Sequence, residues 1–139
     1  MLGILPQTLN SFTGLADNRT SLIEAVREGL PYALFEDLIQ ALELSHRELA
    51  GIIGLPLRTL NNRKHAGRFT PQESDHLLRV ARVYGRVVEF FGHRDRARDW
   101  LKRPAFAFDE KPPLSLLDTE LGAEAVSTLI GQLEHGVLP

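Results

Sequence analysis

Residues 45–64 read SHRELAGIIGLPLRTLNNRK, and this stretch decides the fold. Ser45 and Glu48 form the Ser-x-x-Glu pattern that caps the start of a helix. Ala50 is small enough for a second helix to cross closely above it, and Gly54 stands where a tight turn needs a positive φ. The spacing predicts a helix-turn-helix, whose second helix can present its outer face to a major groove of DNA.

The outer face of that second helix carries the candidate DNA contacts. If Leu57 and Leu60 face inward, a rotation of about 100° per residue turns the neighbouring polar side chains outward. Arg and Asn can hold a base edge through two hydrogen bonds, and long cationic side chains can reach a phosphate. The predicted DNA-binding residues are Arg58, Thr59, Asn62, Arg63, Lys64 and Arg68.

Charge is distributed unevenly along the 139 residues, although the net charge is only −2. Residues 1–48 sum to −4, residues 49–103 to +7 and residues 104–139 to −5. No acidic residue occurs between Glu48 and Glu73. Because phosphates respond to local potential, the basic centre favours a nucleic-acid partner. The alternative is a plain helical hairpin with a solvated basic face.

The flanking segments also carry helix signals. Ser21 and Glu24 repeat the capping pattern, and Thr70-Pro71-Gln72-Glu73 opens the longest predicted helix, about 71–91. Later segments predict a short helix around Trp100 and a last helix from Gly122 to His135, while strand alternation is absent. The predicted fold is therefore all-α: a helical bundle with a central helix-turn-helix and a C-terminal helical segment.

Three domains are predicted from these signals. They are an irregular N-terminal arm over residues 1–20, a DNA-binding domain over 21–70 and a helical C-terminal domain over 71–139.

Composition argues against several classes of protein. There are no cysteines, which excludes disulfides, thiolate zinc sites and a cysteine nucleophile. No apolar run approaches the roughly 20 residues that span a bilayer, and no signal peptide is recognisable, so we expect a cytoplasmic protein. The five histidines lack metal-ligand spacing, and Ser21 and Ser45 are better explained as helix caps than as nucleophiles. No enzymatic activity, cofactor or metal is predicted.

From Ser45 to the C-terminus the chain resembles antitoxins of the Xre/MbcA/ParS family, the partners of RES-domain toxins. The middle part, ELAGIIGLPLRTLNNRKHAGRFTPQESDHLLRVARV, resembles their Xre-like segment. The C-terminal part, ARDWLKRPAFAF followed by PLSLLDTELGAEAVSTLIGQLEHGV, is more specific. The residues that stand where the family has its recurring ones are Trp100, Leu101, Pro104, Pro113, Leu114, Leu117, Thr119, Gly122, Val126, Leu129, His135 and Gly136.

The resemblance implies a function that composition alone does not. Such antitoxins bind and neutralise a toxin that uses NAD, and they repress their own operon, often jointly with the toxin. By resemblance, residues 122–139 sit against the toxin and obstruct its active-site cleft. The net −5 of residues 104–139 suits a cleft that binds an anionic dinucleotide. The candidate toxin-binding residues are Gln132, Leu133, Glu134, His135, Gly136, Val137 and Leu138.

A single helix-turn-helix reads only a half-site, so a homodimer on operator DNA is expected, assembling with the toxin into a larger complex. Either the helix over 71–91 or the segment 21–44 could supply the dimer interface. Two other functions stay open at this point. One is a stand-alone transcription regulator with a dimerising or ligand-binding C-terminal domain. The other is an interaction protein whose helix-turn-helix no longer contacts DNA.

Overall fold

The computed structural model describes residues 19–136, and this range is built from seven α-helices. They are α1 (Arg19–Glu28), α2 (Tyr32–Leu42), α3 (His46–Ile52), α4 (Leu57–Ala66), α5 (Pro71–Phe91), α6 (Arg94–Lys102) and α7 (Glu120–Glu134). Two 3-10 turns, Phe106–Phe108 and Pro113–Leu116, lie between α6 and α7. Extended pairing in the described range is limited to two isolated bridges. The predicted all-α fold is confirmed.

Local capping determines where most of these helices begin. The Ser45 hydroxyl accepts from the Glu48 amide at 3.0 Å, and the Glu48 carboxylate accepts from the Ser45 amide at 2.9 Å. Thr70 and Glu73 form the same reciprocal pair at the start of α5. The prediction at Ser21 is wrong, because α1 is already helical two residues earlier, at Arg19.

Helix α5 is the axis of the fold. It contacts α1, α6 and α7. Its buried residues include Leu77, Ala81, Tyr84 and Val88 as well as Val80, Val83 and Val87. A helix that contacts three others buries more than a single amphipathic stripe.

A seam between α2 and α6 joins the two halves of the molecule. The Lys102 ammonium donates to the main-chain carbonyls of Leu42 and Glu43, at 3.0 and 2.9 Å. The Arg98 guanidinium lies 3.0 Å from the Glu43 carboxylate. Since α2 leads directly into α3, the C-terminal half braces the start of the helix-turn-helix.

Helix α7 is part of the core rather than an appended tail. Val126 and Ile130 are fully buried where α7 packs on α5. A side chain at Gly122 would collide with the carbonyl oxygen of Leu116, so only glycine lets the 3-10 turn approach α7 this closely. Within residues 19–136, no helix has the length and apolar character needed to cross a bilayer.

Candidate functional site

The helix-turn-helix has the geometry that its sequence predicts. Leu49, Ala50 and Ile53 are buried between the two helices. Gly54 adopts a φ of +71° at the turn, and the Leu55 amide donates to the Ala50 carbonyl at 2.8 Å. A left-handed residue is inexpensive at a glycine, so the turn closes without strain. The second helix of the motif is α4.

The inner face of α4 is rotated from the predicted one. Leu60 is buried, but Leu57 is 38% exposed, so the prediction that both face inward is half wrong. Leu57 is the first residue of α4, and its side chain is offset by about 60° from that of Leu60 around the helix. The partly buried neighbours of Leu60 are instead Thr59 and Arg63.

Three of the six predicted DNA-binding residues are exposed and available on α4. Within the described residues, the side chains of Arg58 and Asn62 have no hydrogen-bond or ion-pair partner. Lys64 is also exposed, and its charge helps to lower the pKa of Glu36 on α2. Asn61 and His65 share this exposed side of α4, and the sequence argument missed them because it used Leu57 as an anchor.

The other two predicted arginines are engaged within the protein. The Arg63 guanidinium donates to both oxygens of the Glu73 carboxylate, at 2.7 and 3.0 Å. The Arg68 guanidinium donates to the Gly29 carbonyl at 2.6 Å. Arg63 therefore joins α4 to α5, and Arg68 joins the loop after α4 to the residue after α1. A DNA contact by either side chain would have to compete with these bonds.

A polar cluster fixes α3, the first helix of the helix-turn-helix, on α2. The Glu36 carboxylate accepts from the Tyr32 hydroxyl at 2.6 Å and lies 2.8 Å from His46 Nε2. Burial alone would raise the pKa of Glu36, but the hydrogen bonds from Tyr32 and His46 lower it below its usual range. The ionised carboxylate is thus the stable form, and it ties the first residue of α3 to the preceding helix.

Of the predicted toxin-binding residues at the end of α7, some contact the rest of the protein and others are exposed. Leu133 packs against the core, and the Glu134 carboxylate lies 3.1 Å from the Arg86 guanidinium. Gln132 is partly buried, and His135 is exposed with Nδ1 2.7 Å from the Gly131 carbonyl. Gly136 is exposed with a φ of +72°. Val137 and Leu138 lie outside the described residues.

Large apolar side chains are exposed elsewhere on the C-terminal half. Phe106 is 91% exposed in the first 3-10 turn, and Leu121 is 76% exposed at the start of α7. The sequence argument did not single them out. A signal was present for Leu121, which lies off the buried stripe of Val126, Leu129 and Ile130 on α7, whereas no local pattern marks Phe106.

Comparison with known families agrees with this architecture. Residues 21–82 match the model described as the antitoxin Xre-like helix-turn-helix domain. Residues 86–136 match the antitoxin Xre/MbcA/ParS C-terminal toxin-binding domain. These two matches define a class of protein in which one chain carries a DNA-binding motif and a toxin-binding domain. The chain belongs to the Xre/MbcA/ParS antitoxin family, as the resemblance predicted.

Curated relatives support the same assignment over most of the chain. An Antitoxin Xre from Yersinia enterocolitica is 36% identical over 124 residues, which cover 88% of this chain and 84% of the relative. An Antitoxin Xre from Photorhabdus laumondii is 35% identical, with 81% and 78% covered. A more distant relative from a Sphingobium species, 24% identical with 82% and 78% covered, is named Prs ADP-ribosylating antitoxin.

Proposed function

We propose that this antitoxin neutralises a RES-domain toxin that consumes NAD, by obstructing its active site, and that it represses its own operon through α4. The observation that carries the proposal is the pairing, in one chain, of an exposed cationic helix with a domain matched as toxin-binding. Neither feature alone would separate an antitoxin from a simple regulator.

The repressor activity rests on the outward side of α4. Arg58 and Asn62 have the side chains that best recognise guanine and adenine edges, and Asn61, Lys64 and His65 extend the same polar surface. Arg63 and Arg68 then support α4 and the loop after it rather than read bases. A homodimer would present two such helices to the two half-sites of an operator.

The neutralising activity rests on the acidic C-terminal half. The net −5 of residues 104–139 complements a cleft that binds the pyrophosphate of NAD. The Sphingobium relative has ADP-ribosylation in its name, Prs ADP-ribosylating antitoxin, and transfer of ADP-ribose from NAD consumes NAD. That chemistry supports the NAD-dependent class for the partner of this chain, with the end of α7 and the residues after it at the cleft.

Co-expression with a RES-domain toxin tests the neutralising function. The toxin alone should deplete cellular NAD and arrest growth, and this chain should relieve both effects and co-purify with the toxin. Undiminished NAD loss in the presence of folded antitoxin would contradict the proposal.

A second experiment tests repression separately. Fluorescence anisotropy with the chain's own promoter should show binding whose affinity falls steeply with salt, because phosphate contacts release counterions. Equal affinity for promoter and scrambled DNA would count against an operator-specific repressor while leaving neutralisation untouched.

A further inference from the structure

An exposed apolar groove runs along the outer side of α7. Its walls are the first 3-10 turn and one stripe of α7, and its volume is 460 Å³. The lining residues that matter here are Ala107, Phe108, Leu121, Ala125, Thr128 and Gln132. Phe106, 91% exposed, stands next to them in the same turn.

The positions on α7 form a continuous helical stripe. Leu121, Ala125, Thr128 and Gln132 are separated by four, three and four residues, so they lie above one another on one side of the helix. Ala125 and Thr128 are small and exposed, between the larger Leu121 and Gln132. The middle of the stripe therefore leaves room for an inserted side chain, and the opposite side of α7 is occupied by α5.

The turn that carries Phe106 is held in place by hydrogen bonds. The Glu110 amide donates to the Ala105 carbonyl at 2.9 Å, and the Ala105 amide donates to the Lys111 carbonyl at 3.1 Å. Asp109 and Glu110 both adopt positive φ, at 54° and 65°, a conformation that costs a non-glycine residue free energy. Phe106 is thus presented to solvent by a closed loop with two left-handed residues.

An isolated exposed phenylalanine needs no explanation, but a contiguous apolar surface does. Leu121 lines the groove, Phe106 precedes the lining residue Ala107 in the same turn, and all three lie within residues 86–136, the range matched as a toxin-binding domain. The groove also has an acidic border, since Glu124 lines it and Asp109 and Glu110 follow the turn. An apolar centre with a charged rim is the composition of a protein interface.

We infer that this groove, with Leu121 in its wall and Phe106 in the turn that forms its other wall, is the surface on which the toxin docks, in addition to any obstruction of the cleft by the end of the chain. The occupant is an apolar segment of the toxin flanked by basic side chains, because the border of the groove is acidic. The inference rests on the proposed neutralising function. It adds an anchoring surface that holds the toxin in position while its cleft is obstructed.

The test measures binding of a RES-domain toxin, carrying an inactivating substitution, to the full antitoxin chain. The double variant Phe106→Ala with Leu121→Ala should weaken the Kd by about 30-fold or more, as truncation of anchoring side chains does at interfaces. Both side chains are largely exposed, so circular dichroism and the unfolding midpoint should match those of the parent. Ile23→Ala, at an exposed aliphatic residue of α1, is the matched control and should leave the Kd within twofold.

Three other results would be decisive in different ways. If the double variant binds the toxin as the parent does, the groove is not the docking surface, and the proposed function stands. If the double variant loses only self-association in sedimentation velocity, the groove joins two antitoxin copies, and the inference is overturned. If the parent chain itself fails to bind the toxin, the proposed function and the inference that rests on it are both overturned. A Val126→Ala variant, altered at a buried position of α7, shows how binding responds to loss of stability alone.

Discussion

Arg63 of α4 and Glu73 of α5 are joined by a two-pronged ion pair, with Nε 2.7 Å from Oε1 and Nη2 3.0 Å from Oε2. The same Oε1 accepts the Thr70 amide at 3.0 Å, so one carboxylate caps α5 and also holds α4. Because α5 packs against both halves of the molecule, this pair ties the orientation of the DNA-facing helix to the rest of the fold.

The first prediction concerns the energy of this contact. Arg63→Ala should lower the free energy of unfolding by about 1–2 kcal/mol, because it removes two charge-assisted hydrogen bonds at partly buried groups. Arg63→Lys should recover only part of that loss, since an ammonium cannot form the two-pronged pair. Urea unfolding measures both. A stability of Arg63→Ala equal to that of the parent would contradict the assignment of Arg63 to a structural role.

The pH dependence of stability follows from the same carboxylate. Burial by itself would raise the pKa of Glu73, but the bonds from Arg63 and Thr70 lower it below its usual range. Its contribution should be complete above the unfolded pKa of about 4.3 and should be lost as the pH falls through the lower folded pKa. Urea midpoints between pH 7 and pH 3 should fall less steeply for Glu73→Gln than for the parent. Parallel profiles would show that other acids dominate acid unfolding.

The features that sequence predicted correctly are local ones. These features are the caps at Ser45 and Thr70 and the turn at Gly54. Each depends on groups that are close together along the chain, so a short sequence pattern is enough to predict it. The C-terminal half was recognised by resemblance, because residues from Trp100 to Gly136 follow the order and spacing of the family's recurring ones.

The features that sequence missed depend on how helices meet. Arg63 lies ten residues from Glu73 along the chain, and no local pattern shows that the turn after α4 brings them together. Leu57 is predicted inward because it is apolar and three residues before Leu60, but it is the first residue of α4 and is 38% exposed. Phe106 lies in a turn closed by hydrogen bonds of Ala105 with Glu110 and Lys111, and no local sequence pattern marks this turn.

DNA binding should depend more on Arg58 than on any other arginine of the centre. Its guanidinium is exposed on α4 and has no partner among residues 19–136. Arg58→Ala should weaken promoter binding by about 10- to 100-fold, the cost of one two-bond base contact. The salt slope should change by about one unit only if Arg58 contacts a phosphate.

Arg27→Ala on α1 is a matched control for Arg58→Ala. It removes the same charge, and the Arg27–Glu24 pair that it breaks is exposed and contributes little to stability. Equal losses of affinity for the two variants in an anisotropy titration would show that only net charge matters, and that α4 does not read DNA.

Shortening the C-terminus should separate folding from neutralisation. Deletion of residues 122–139 would remove Val126 and Ile130 from the core, so that variant should fail to fold. Deletion of residues 135–139 removes only exposed positions of the described part, and the free energy of unfolding measured in urea should stay within about 0.5 kcal/mol of that of the parent. Ile130→Ala should instead cost about 2–5 kcal/mol.

The shortened chain then tests the plug directly. If the end of α7 and the residues after it obstruct the cleft, deletion of 135–139 should leave a folded protein that still binds the toxin but inhibits NAD consumption less. Full inhibition by this variant would place the obstruction on an earlier part of the chain.

The seam between α2 and α6 should matter for DNA binding even though it lies outside α4. Lys102→Met keeps the apolar stem but removes the ammonium that bonds the Leu42 and Glu43 carbonyls. The free energy of unfolding should fall by about 1 kcal/mol. The fall is small because water can partly replace the hydrogen bonds that the exposed ammonium makes to the carbonyls at the helix end. Faster hydrogen exchange should follow in the last turn of α2 and at the start of α3, together with a small loss of promoter affinity.

Lys111→Met, at another exposed lysine of the C-terminal half, should change none of these quantities. If the two variants behave alike, the seam does not brace the helix-turn-helix, and the two halves are joined through α5 alone.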